Sequence, residues 1–229
     1  MTEQALLSRI EALESRLGVL EDKEAIGALQ RMYGYYIDNR MWREMADLFA
    51  DEGASIEIGQ RGRYLGKARI HAFLHEVLGQ GRWGLERHEV INHLQHQLII
   101  TVDPDRTHAR ARARAIVMAS PPASATQGGG GPGWPADRMM LAEGIYENRY
   151  VKEGGVWKIE HLGWAPTFYV WIPGWESAAF DSAPPSAAMP PDEPSASMDE
   201  RLGRAFLPFH YRHPITGAEV GPPTEDAAP

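Results

Sequence analysis

The helix-forming stretch LEDKEAIGALQRMYGYYID, residues 20–38, brings the phenols of Tyr33 and Tyr36 and the carboxylate of Asp38 within two turns of one another. Side chains three apart on a helix can share a face, so Tyr33 and Tyr36 can present hydroxyls to one pocket. A phenol donates a hydrogen bond to a leaving hydroxyl or to a developing oxyanion. Packed on a curved sheet, such a helix builds an acid–base pocket that needs no cofactor. The competing reading buries both tyrosines in apolar core, each with a local partner.

His93 and His96 lie three apart on the stretch VINHLQHQLIITV. A regular strand sends them to opposite faces, and only a bulge aims both inward. His71 and His75, four apart on a helix, have the spacing of a metal pair. A zincin helix carries Glu at the position of Ala72, and without a clear third ligand a structural role is expected. Cysteine is absent, which removes thiolate nucleophiles, disulfides and Cys-ligated metal sites. Neither a metal nor a cofactor is expected. The glycine run at 128–131 lacks the Lys-Ser/Thr of a phosphate cradle and reads as a mobile loop beside the cavity. Trp164, Phe168, Tyr169, Trp171 and Trp175 crowd the end of the last strand. Of these, Trp164 and Phe168 are read as an aromatic mouth for a flat aromatic substrate.

These groups need a scaffold. Leu6, Ile10, Leu13, Leu17 and Leu20 repeat with heptad spacing, giving an amphipathic helix over residues 1–20. It either lies on its own domain or makes an oligomer contact. Ala25, Ile26, Leu29, Met32, Tyr33, Tyr36 and Ile37 form a broad apolar stripe, so residues 21–39 form the main helix. A short helix over 41–50, a strand over 54–59, a turn over 60–63 and a third helix over 66–78 follow, then a loop over 79–86. Strands span 90–102, 108–118, 138–152 and 156–170, the last two joined as a hairpin at Gly154-Gly155. In HARARARA, Ala109, Ala111, Ala113 and Ala115 leave room for a cavity, while His108, Arg110, Arg112 and Arg114 face solvent or another subunit. Helices followed by a run of mainly antiparallel strands define an α+β fold, a curved sheet wrapped around the N-terminal helices. The domain proper is expected over 21–176. A Pro/Ala-rich linker covers 177–200, and a docking tail at 201–229 carries Leu202, Phe206, Leu207, Phe209 and Tyr211.

A formal charge of −8 argues against binding to nucleic acid or to an anionic membrane surface. Charges run through the first 17 residues, so no signal peptide is read there, and no apolar run is long enough to span a bilayer. A cytoplasmic location is expected.

Four pieces of the chain, in order, carry a family likeness: LEDKEAIGALQRMYGYYID, MWREMADLFADEGASIEIG, NHLQHQLIITVDPDRTHARA and GIYENRYVKEGGVWKIEHLGW. Over residues 20–168 the chain resembles SnoaL-like members of the nuclear transport factor 2-like superfamily, whose fold is a cone-shaped α+β barrel. The scytalone dehydratase-like branch carries a pocket His where His93 stands and an acid where Asp38 ends the first helix. The resemblance therefore implies a His–carboxylate pair, in which the acid holds one tautomer and makes the ring more basic. The competing reading makes His93 a core residue and Asp38 a cap for the following turn. Tyr146 stands where related dehydratases carry an amide, and the strand at 108–118 offers no equivalent of their second catalytic His. The full dehydratase site is thus not reproduced.

The resemblance implies a cofactor-independent lyase that eliminates water, or water with a small carbonyl such as formaldehyde, from a hydroxylated aromatic small molecule. SnoaL-like lyases of lignin-derived aromatic dimers share this logic. His93, Asp38, Tyr33 and Tyr36 are the expected catalytic set. Tyr146, His96, Trp164, Phe168 and Ile58 are the expected substrate contacts. The alternatives are an isomerase or cyclase of a polycyclic substrate, and a non-catalytic ligand-binding or dioxygenase small-subunit-like protein. A homo-oligomer, dimer or trimer, is expected.

Overall fold

The computed structural model describes residues 2–86, 89–121, 135, 137–174, 185–193 and 206–223. The glycine run at 128–131, Trp175, most of the linker and the first residues of the tail lie outside these. Helix α1 (Glu3–Asp38) is continuous through the expected boundary at residue 20, and its first turn is capped by the Thr2 side chain. Asn39 and Arg40 turn the chain, Arg40 with a left-handed φ of 53°, into the short α2 (Trp42–Asp47). Strand β1 (Ser55–Ile58) leads through a 3₁₀ turn (Gly59–Arg61) into β2 (Arg63–Leu65). This three-residue strand is too short to show a sequence period. Helix α3 (Lys67–Ala72) widens into a π-helical turn (Phe73–Leu78). Strands β3 (Val90–Val102), β4 (His108–Ser120), β5 (Arg138–Glu153) and β6 (Val156–Pro173) complete the regular structure of the described residues.

The six strands form one sheet in the order β2-β1-β6-β5-β4-β3. All neighbours are antiparallel except β1 and β6, which run parallel. The β5–β6 hairpin turns on Gly154 and Gly155 with φ of 57° and 84°. Two consecutive left-handed residues match the twist of a two-residue hairpin and favour glycine. The inner face of the sheet meets α1. Ala109, Ala111, Ala113 and Ala115 are buried on that face, and Arg112 and Arg114 on the other pair with Glu147 and Glu143. At Gly34 the helix comes so close to β3 that an added Cβ would sit 2.8 Å from the Gln95 amide nitrogen. This approach brings the end of α1 beside the start of β3.

Two charged clusters pin the helix. Near its middle, Asp22 is 4% exposed and accepts hydrogen bonds from Arg106, Lys152 and Trp157. Beyond its end, fully buried Arg40 pairs with Glu89, which also binds Arg82. Between them, Gln30 accepts from Asn148 and Tyr150 in the core. Residues 206–223 fold back on the same body: the His213 ring stacks on Tyr36 at 5.6 Å and its Nε2 donates to the Glu44 carbonyl at 2.9 Å.

Candidate active site

Between the end of α1 and the inner face of the sheet lies a cavity with about 110 Å³ open to the centre of a water molecule. Its walls are mainly apolar: Ile37, Trp42, Ile58, Leu78, Ile91, Val117, Met140, Ala142 and Trp164. The polar groups on the lining are His93, Tyr33, Tyr146, Tyr169 and Arg61. Few polar groups in an apolar cavity are the usual composition of a small-molecule site.

His93 Nδ1 lies 2.8 Å from Asp38 Oδ1, with the two side chains only 11% and 17% exposed. A carboxylate can only accept, so Nδ1 carries the hydrogen and the Nε2 lone pair remains for proton abstraction. Asp38 is not on the cavity lining; it acts on the cavity through the imidazole. The hydroxyls of Tyr33 and Tyr146 are 3.0 Å apart, and their rings meet edge to face. One of the two hydroxyl hydrogens is used between them, which leaves the other for a ligand. Burial pushes both phenols well above the usual tyrosine range, so they act as donors rather than bases. Arg61 at the end of the 3₁₀ turn brings a guanidinium to the lining, drawn below its ordinary pKa by burial.

The structure divides the expected residues. Asp38, His93, Tyr33, Tyr146, Trp164 and Ile58 converge at the cavity or directly behind it. Tyr36 does not. The two tyrosines are about 60° apart around the helix, and that rotation turns Tyr36 onto Phe209 and His213 of the C-terminal segment. His96 is exposed and pairs across the sheet with Arg114, on the face opposite His93. The strand does have a register shift, but only between His96 and Ile99, too late to turn His96 inward.

Phe168 is also displaced. Period two from Trp164 would place it on the inner face, but a register shift between Glu143 and Gly144 inserts one residue in β6. Phe168 therefore stands opposite Glu143, and Tyr169 takes the inward place opposite Ala142. Phe168 lines an adjoining groove of about 380 Å³ that shares Ile58, Arg61 and Tyr169 with the cavity. Arg61, Tyr169 and Trp42 were not singled out from the sequence. For Tyr169 the aromatic cluster was a signal, but its direction depended on the bulge. His71 and His75 face each other and Trp83 rather than the cavity. Among the described residues, no three His, Asp or Glu side chains converge as metal ligands.

An inner-face cavity closed by the end of a long helix fits the α+β fold, a curved sheet wrapped around the N-terminal helices. The SnoaL-like domain profile matches residues 18–163, and the chain belongs to that family. Among solved structures, a hexachlorocyclohexane dehydrochlorinase (LinA type 2) is 19% identical, with a TM-score of 0.56 over 69% of this chain and 94% of that one. LinA type 3 from Novosphingobium barchaimii LL02 is 17% identical, with a TM-score of 0.55 over 69% and 95%. A proposed scytalone dehydratase from Novosphingobium aromaticivorans DSM 12444 is 18% identical, with a TM-score of 0.51 over 69% and 90%. At these identities the likeness establishes the shared fold. No curated protein matches the chain. Among the described residues, no helix is long and apolar enough to cross a membrane.

Proposed function

We propose that this protein is a cofactor-independent lyase that eliminates water from a hydroxylated aromatic small molecule. The observation that carries this reading is the His93–Asp38 pair at 2.8 Å on the wall of an apolar, aromatic cavity. A binding subunit needs no such pair and would leave Asp38 to solvent. His93 Nε2 takes a proton from the carbon beside the one bearing the hydroxyl. The C–H electron pair becomes the new double bond, the C–O bond breaks, and the departing oxygen takes a proton from the Tyr33–Tyr146 pair and leaves as water. Transfer of the proton from His93 back to the tyrosines restores the starting state. With a para-phenol on the substrate, departure of the hydroxyl gives a neutral quinone methide, and removal of the adjacent proton returns negative charge to the phenol oxygen; Arg61 is a cationic group on the lining that can stabilise that oxygen. In a substrate carrying a hydroxymethyl group in place of the departing hydrogen, His93 would take the hydroxymethyl O–H proton instead, the C–C bond would break to release formaldehyde, and its electron pair would form the double bond as water leaves.

The fold is shared with a protein named as a dehydrochlorinase and one proposed as a dehydratase, both eliminations. The groove beyond Tyr169 offers room for a second ring, which supports a two-ring substrate such as a lignin-derived aromatic dimer. The test is a screen of phenolic diols for the ultraviolet absorbance of a new conjugated alkene. The folded His93→Ala variant is expected to lose about a hundredfold or more of the turnover, the scale for a general base. Near-normal turnover in that variant would remove His93 from the mechanism.

A further inference from the structure

The first part of α1 stands away from the body, and its apolar stripe faces outward. Leu6, Leu7, Ile10, Leu13, Leu17 and Leu20 are each between 43% and 63% exposed. Where the helix reaches the body, the contact uses a different face. Gly18 is buried under the Arg106 guanidinium, so close that an added Cβ would meet it at 2.1 Å, and Asp22, one turn on, is held by Arg106, Lys152 and Trp157. The body thus grips Gly18 and Asp22 while Leu17 and Leu20 remain in solvent. Among the described residues, none covers the stripe.

The charges beside the stripe identify what covers it. In heptad positions, Ile10 and Leu17 are a residues and Leu6, Leu13 and Leu20 are d residues. Arg9, Arg16 and Lys23 then fall at g, and Glu14 and Glu21 at e. In a parallel pair each g residue faces the e residue five positions later on the other helix. That sets Arg9 against Glu14 and Arg16 against Glu21 of a second copy, on both flanks. An antiparallel pair would set base against base and acid against acid. Leucine throughout d, with a β-branched Ile10 at a, is the pattern of a two-stranded parallel coil. Two heptads alone are marginal, but here the helix is already formed and anchored by its second half, which lowers the ordering cost of association.

We infer that residues 3–24 of α1 form a parallel, in-register, two-stranded coiled coil with a second copy of this chain. Because the chain has no cysteine, single-cysteine variants of the full chain report the register without background. Leu6→Cys and Leu20→Cys, 14 residues apart, should each form a disulfide-linked dimer under mild oxidation. Cross-linking only when the two variants are mixed would mean an antiparallel pair and would overturn the proposal, as would no cross-link at all. Light scattering should give a dimer for the unaltered chain. Glu14→Arg/Glu21→Arg and Arg9→Glu/Arg16→Glu alter only exposed side chains and should each weaken the dimer by about tenfold or more. Mixing the two should restore it as a heterodimer. A monomeric unaltered chain, or charge variants that dimerise as before, would show that the stripe does not hold two copies together.

Discussion

Replacing Asp38 with Asn tests the site most directly, because the amide keeps the shape of the carboxylate and changes only its charge and donor pattern. In the native pair the carboxylate accepts from His93 Nδ1 at 2.8 Å with both side chains largely shielded from water. A hydrogen bond to a charged group contributes about 1.5–3 kcal/mol, equivalent to roughly 10- to 150-fold in rate if it is felt fully in the transition state. The new amide has two choices. If its carbonyl still accepts from Nδ1, the tautomer survives and the loss is of about that size. If its NH₂ donates to Nδ1, the hydrogen moves to Nε2 and the base disappears, a loss of about a thousandfold or more. Two assays apply. Turnover is followed by absorbance of the conjugated product. Nitrogen-15 NMR of the histidine rings reads the tautomer without any substrate, and His93 should carry its hydrogen on Nδ1 in the native protein. Unchanged turnover in a folded Asp38→Asn variant, or a native His93 protonated on Nε2, would refute the role given to the pair.

Other expectations follow from the same geometry. Tyr33→Phe and Tyr146→Phe each break the 3.0 Å hydroxyl pair and should lower turnover about 10- to 100-fold with little change in melting temperature; a double variant no worse than either single one would show that the phenols act as a unit. Burial pushes the Asp22 carboxyl up, but hydrogen bonds from Arg106, Lys152 and Trp157 outweigh it and hold the pKa at about 2, against 3.8 unperturbed. A depressed pKa gives stability that is present above pH 4 and lost as pH falls toward 2. It amounts to at most about 2.5 kcal/mol, less what solvent screens at Arg106, which is about a third exposed. Denaturant unfolding from pH 7 to pH 2.5 should show the native protein losing more stability than Asp22→Asn, and equal losses would contradict the assignment. Arg40→Ala takes one of the two guanidinium groups that the described residues bring to fully buried Glu89, leaving Arg82, and should cost about 3 kcal/mol or more; a melting temperature within a degree or two of native would show the pair to be dispensable.

Much of the fold was legible in the sequence, because its long elements carry clear periods. The alternation in HARARARA needs no partner to define two faces, and the four long strands were placed within a few residues of where they lie. The helix stripe through Tyr33 and Ile37 was equally plain. The local chemistry of the site was legible too: a carboxylate at the end of a helix, a histidine early in a strand, and an alanine face that leaves space. The proximity of His93 to Asp38 came from family likeness rather than from spacing, since the two are 55 positions apart and only the packing of β3 on α1 brings them together.

What the sequence could not decide depended on single-residue shifts and small rotations. One extra residue in β6 exchanges Phe168 for Tyr169 on the inner face, because side-chain direction in a strand reverses with every position. A step of about 60° around α1 separates Tyr33, in the cavity, from Tyr36, under the C-terminal segment. Arg61 enters the lining from a 3₁₀ turn that has no apolar period to announce it. The heptads illustrate the same division. Leucine spacing and flanking charges are written in the chain, but whether the stripe lies on its own body or faces away was open until Gly18 and Asp22 were seen to take the contact. Sequence periodicity determines which residues share a face; only the packing of one element on another determines where that face points.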